Sequence, residues 1–96
     1  MKPVEFTPGG KAEFLEILNF IRQDNPSAAK AFRSRVLKNL RRLEKFPESG
    51  RVLPEFPERR YREVVVGAYR FFYRIEGERV WVVRALRGSR LPREPE

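Results

Sequence analysis

The chain has 96 residues, 21 of them Lys or Arg and 13 Asp or Glu, for a net charge of +8. It contains no cysteine and no histidine, which excludes a disulfide framework, a thiolate nucleophile, Cys or His zinc ligands and any imidazole proton shuttle. One small domain is expected, and an apolar share of 41% is enough for a single packed core.

Residues 2–6 alternate and read as a short first strand, with Pro3 near its start. Thr7 offers a helix N-cap and Pro8 the first helical position. Phe14, Ile17, Leu18 and Ile21 then recur at helical spacing, so helix one ends near Asp24. Asn25-Pro26 repeats the start signal, and helix two runs to about Lys45. Phe32, Val36, Leu40 and Leu43 fall on one arc of it, and Lys30, Lys38, Arg41, Arg42 and Lys45 on another. That division is what any surface helix shows. The short break predicts an antiparallel helix hairpin.

Phe46-Pro47-Glu48-Ser49-Gly50 stops the second helix, and residues 51–60, with Pro54 and Pro57, read as a loop. The period then becomes two. Residues 61–66, 69–75 and 79–86 read as three strands joined at Gly67-Ala68 and Glu76-Gly77, an antiparallel meander. The expected fold is α+β, with the helix hairpin on one face of a small antiparallel sheet made of the first strand and the meander. The domain spans residues 1–90, and residues 91–96, with Pro92 and Pro95, form a frayed tail. No apolar run approaches the ~20 residues of a membrane helix. The first residues carry no long apolar segment, so a cytoplasmic protein with no membrane partner is expected.

Alternation sorts the sheet into two faces. Val64, Val66, Tyr69, Phe71, Tyr73, Ile75, Val80 and Val82 share one, which is assigned to the core. Glu63, Val65, Arg70, Phe72, Arg74, Trp81, Val83, Ala85 and Arg87 share the other. An open face of that kind would stack bases and hold phosphates. Alternatively Phe72 and Trp81 form a satellite core under the loop of residues 51–60. Glu63, a carboxylate in a strand interior, is read as an ion-pair partner of Arg70 or Arg74. Sixteen Arg against five Lys point to an acidic partner, nucleic acid or protein, because guanidinium groups match phosphate and carboxylate.

Five segments, in this order, carry a family resemblance: Asn25-Pro26-Ser27-Ala28-Ala29, Phe46-Pro47-Glu48-Ser49-Gly50-Arg51, Tyr61-Arg62-Glu63-Val64-Val65-Val66, Tyr69-Arg70-Phe71-Phe72-Tyr73-Arg74-Ile75 and Arg87-Gly88-Ser89-Arg90. With them the chain resembles the ParE/RelE superfamily of toxins from type II toxin–antitoxin systems, also labelled plasmid stabilisation proteins. The resemblance implies the same α+β fold, no metal and no cofactor, and a cognate acidic antitoxin as partner. RelE-like members cut messenger RNA on the ribosome; ParE-like members poison DNA gyrase. The resemblance implies catalytic roles for Arg70 and Arg90 if the chain is RelE-like; Arg62, Arg74, Trp81 and Arg87 are the candidates for contact with a target or nucleic acid. Cutting relatives tend to have lysine where Glu63 stands, and many have histidine at Arg87. The tail lacks Tyr and His. These departures favour a ParE-like gyrase poison. A RelE-like endoribonuclease is the alternative, and a non-toxic nucleic-acid-binding module the second.

Overall fold

A computed structural model describes residues 1–56 and 60–88. Strand β1 (Val4–Phe6) leads into α1 (Pro8–Asp24) and α2 (Pro26–Arg41), followed by a 3-10 turn (Arg42–Glu44). Then come β2 (Arg51–Val52), β3 (Arg62–Val66), β4 (Tyr69–Glu76) and β5 (Arg79–Arg87). The strands form one sheet in the order β1-β5-β4-β3-β2.

Both helix starts form as the cap residues dictate. The Thr7 hydroxyl accepts the Gly10 N–H at 3.1 Å, and the Asn25 side-chain Oδ1 accepts the Ala28 N–H at 3.0 Å. Pro8 and Pro26 follow as first helical residues, where the missing N–H costs nothing. The second α-helix is shorter than the expected end at Lys45. It closes at Arg41 and tightens into the 3-10 turn, whose Leu43 is buried.

Four further features depart from expectation. The sheet is mixed, because β1 pairs parallel with β5 in the register Val4↔Val80 and Phe6↔Val82. Parallel neighbours need a long connection, which the two helices and three intervening strands supply. Residues 51–60 are not all loop, since β2 pairs antiparallel with β3 at Arg51↔Glu63 and Val52↔Arg62. A bulge interrupts β4 and β5: Phe72 faces Arg84, but Tyr73 faces Val82, leaving Val83 extra. Simple alternation beyond it therefore fails, and Ala85 joins the helix-side core rather than the opposite face.

The main core lies between the helices and the sheet, around Phe14, Phe32, Val36, Leu40, Leu43, Phe71, Tyr73, Val80 and Val82. Phe6 stacks on Phe14 with ring centroids 5.3 Å apart, and Phe14 meets Phe71 edge-on at 5.7 Å. A Cβ on Gly10 would lie 2.4 Å from the Val82 carbonyl oxygen, so glycine permits the close approach of α1 to β5. Gly67 and Gly77 have φ +59° at the first central position of the hairpin turns, which type II′ turns reserve for glycine. No helix among the described residues is long and apolar enough to cross a membrane.

Candidate functional site

The site is built on the β3–β4 hairpin. Val65 faces Arg70 and Glu63 faces Phe72, so Glu63 and Arg70 are diagonal neighbours on one sheet face. Arg70 Nε donates to Glu63 Oε1 at 2.5 Å. The two terminal nitrogens of Arg70 donate side by side to Glu55, each at 3.0 Å. The other Glu63 oxygen accepts from Arg51 Nε at 2.8 Å and from its terminal nitrogen. Arg70 also lies over the Phe72 ring, 4.9 Å from its centroid.

The result is a chain of alternating charge, Glu55–Arg70–Glu63–Arg51. Its centre is dry: the Glu63 side chain is 1% exposed and that of Arg70 10%. Two guanidinium groups against two carboxylates leave no uncompensated charge, the condition for burying such groups. The hydrogen bonds that Arg70 donates to Glu55, and to Glu63, hold its guanidinium still further above its ordinary range against the opposing effect of burial. The Arg70 hydrogen bonds hold the Glu55 carboxyl below its ordinary range. Arg70 is thus a fixed cation, with no proton to exchange near neutrality.

The aromatic part of this face is covered, while Val65, opposite Arg70, stays exposed. Leu53, Phe72, Val83 and Leu86 form a second buried cluster, joined by the half-buried Phe56, Tyr61 and Trp81. An open base-stacking surface is therefore corrected to the alternative reading, a satellite core under the segment after β2. Leu53 is fully buried there, and its N–H bonds the Tyr61 carbonyl at 3.0 Å.

The remaining candidates are dispersed. Arg62 donates to the carbonyls of Glu48 and Gly50, at 3.1 and 2.8 Å, and braces the turn before β2. Tyr73 serves the same turn from the core: its hydroxyl donates to the Pro47 carbonyl at 2.7 Å and accepts the Gly50 N–H at 2.9 Å. Burial pushes the Tyr73 phenol up. Arg74 pairs with Glu76 at 2.7 Å near the far end of β4. Arg87 does not share the face of Arg70, because the bulge turns it to the helix side, with its guanidinium 6.0 Å from the Tyr69 ring centroid. Arg90 lies outside the described residues.

Two acids were missed by sequence reasoning. Glu55 sits between prolines in a stretch that carries no period. Glu13 is on α1, where its carboxylate accepts the Ala85 N–H and the Arg84 Nε–H, both at 3.0 Å, just past the bulge. An acid on a helix face gives no sequence signal for a strand partner some seventy residues away. Among the described residues no group of three or more His, Cys, Asp or Glu side chains is arranged to hold a metal ion.

The family model for the ParE toxin of type II toxin–antitoxin systems, parDE, matches residues 4–92. Among solved structures the chain is similar to a chain of the chromosomal ParDE TA system from P. aeruginosa, with a TM-score of 0.76. That likeness, at 15% identity, covers 91% of this chain and 96% of the other and is one of fold. No curated protein matches the chain.

Proposed function

This chain belongs to the ParE toxin family of type II toxin–antitoxin systems, and from that premise we propose that it inhibits growth by poisoning DNA gyrase and is neutralised by a cognate acidic antitoxin. The observation that carries the choice of gyrase over messenger RNA is the state of Arg70. A nuclease would use this arginine to stabilise the charge that develops on a phosphate, and such a group must be free to meet it. Here three of its N–H donors are spent on Glu55 and Glu63, and two carboxylates stand where a phosphate would have to come. The chain also has no histidine to move a proton.

An acidic antitoxin suits the net charge of +8, which speeds encounter with a negatively charged segment. A groove of about 310 Å³ between α1 and the β4–β5 pair, with Ile17, Phe20, Tyr69 and Leu86 as its apolar lining and Glu13, Glu16 and Arg87 as its charged lining, supplies apolar anchorage. Phe20, 58% exposed at its edge, supports the reading that an amphipathic helix docks there.

The test is plasmid supercoiling by purified gyrase with the chain added, alone and with the antitoxin. Inhibition relieved by the antitoxin is expected. Unimpaired supercoiling, with cleavage of messenger RNA on ribosomes, would overturn the reading.

A further inference from the structure

The positive charge of this chain is concentrated in one place. Residues 30–45 hold seven cations and a single acid, Glu44, so they supply six of the net eight positive charges. All seven cations are exposed. Elsewhere five arginines, Arg51, Arg70, Arg74, Arg79 and Arg84, each pair with a carboxylate, and Arg62 is held by backbone carbonyls. Among the described residues, no cation of residues 30–45 has such a partner. At 100° per residue, Lys30, Arg33, Lys38 and Arg41 span an arc of about 140° on α2, centred about 130° from the core arc of Ala29, Phe32, Val36 and Leu40, with Arg33 at its flank.

We propose that this outer face of α2 is a binding surface for the sugar–phosphate backbone of duplex DNA. Charge alone admits other polyanions, and three observations choose among them. First, protein interfaces are anchored by exposed aromatic or aliphatic side chains in apolar surroundings. No large apolar side chain of α2 is exposed; those of the helix pair, Leu15 and Phe20, are on α1. An acidic protein segment therefore finds its anchors on α1, whereas phosphates need only cations. Second, single-stranded nucleic acid is held by stacking on open aromatic rings. The sheet aromatics Phe72 and Trp81 are packed into the second cluster. Third, the cations stand on a convex, straight helix of 16 residues, about 24 Å long. The major groove of B-form DNA admits a helix of this diameter, and that of A-form RNA does not. The surface reads no bases, so binding is independent of sequence.

The proposal does not depend on gyrase, and it is tested without it. Fluorescence anisotropy of a labelled random-sequence 20-base-pair DNA duplex is followed with the purified chain across a range of salt concentrations. Affinity should fall steeply with salt, and Lys30→Gln/Arg33→Gln/Lys38→Gln/Arg41→Gln should weaken binding more than tenfold in low salt. Removing four phosphate contacts should also make the logarithmic salt slope shallower by about 3.6. A second variant with the same loss of charge, Lys2→Gln/Lys11→Gln/Arg22→Gln/Arg79→Gln, should change binding less than threefold. Circular dichroism melting of both variants confirms that they fold.

No binding to the duplex in low salt would overturn the proposal. Equal loss in the two variants would do so too, because net charge rather than a surface would then be at work. Single-stranded DNA, duplex RNA or polyglutamate of equal charge bound as tightly as the DNA duplex would also overturn it. A chain that binds duplex DNA but leaves gyrase untouched would sink the proposed function and leave this surface standing.

Discussion

At the scale of single residues, Glu63 decides the character of the site. Replacing it with alanine would leave Arg70 buried beside only the half-open Glu55 and remove the anchor of Arg51. Removing one partner of a buried pair costs ~3 kcal/mol or more, so Glu63→Ala should lower stability by about that amount in urea unfolding. Glu55 is 34% exposed, and Glu55→Ala should cost no more than about 1 kcal/mol. Because the folded Glu55 carboxyl titrates below its ordinary value of 4.5, it contributes stability above that pH. That contribution is lost as pH falls below 4.5 through the folded value, and unfolding of Glu55→Gln should show a weaker pH dependence there. Tyr73→Phe would strand the Pro47 carbonyl and the Gly50 N–H, at a cost of ~1–2 kcal/mol. Gly50 is itself fixed by this contact, since a Cβ there would lie 2.4 Å from the Tyr73 oxygen. The Glu63–Arg70 pair was legible in the sequence because strand register is local arithmetic. Glu55 was not, because its position depends on where an aperiodic segment lands on the sheet.

At the scale of elements, caps and periodicity carried the reading. Thr7-Pro8 and Asn25-Pro26 placed both helix starts, and the period-two runs placed β3, β4 and β5 to within a residue. What periodicity cannot contain is a pairing irregularity. The extra residue Val83 inverts the alternation of β5, so Ala85 and Arg87 were sorted to the wrong face. Glu13 is the compensation, since it satisfies the backbone N–H just beyond the bulge from an adjacent helix. The parallel placement of β1 was equally hidden, because three residues of strand carry no direction. The junction of α1 and β5 makes a direct prediction. Gly10→Ala would drive a methyl group into the Val82 carbonyl and should destabilise by ~1–3 kcal/mol, read from the urea midpoint. An unchanged midpoint would show that α1 can slide on β5.

At the scale of the whole molecule, charge is separated by role. Ion pairs hold five arginines on or beside the strands, apolar anchors collect on α1 and beside the end of β5, and exposed cations collect on α2. A ParE-family chain of 96 residues with no histidine and no cysteine has few routes to covalent chemistry. It has ample surface with which to hold larger assemblies. On the proposed function the Arg70 network is structural and inhibition proceeds without it. The most direct measurement is gyrase supercoiling in the presence of an Arg70→Met/Glu63→Leu/Glu55→Gln variant, beside the unaltered chain. Replacing a buried ionic network by apolar groups of similar volume preserves folding in favourable cases, and the variant's melting curve checks this. The account predicts inhibitory concentrations within about threefold of each other, a difference under 1 kcal/mol in binding. A folded variant that no longer inhibits, where the unaltered chain does, would contradict it and make Arg70 a contact or catalytic residue.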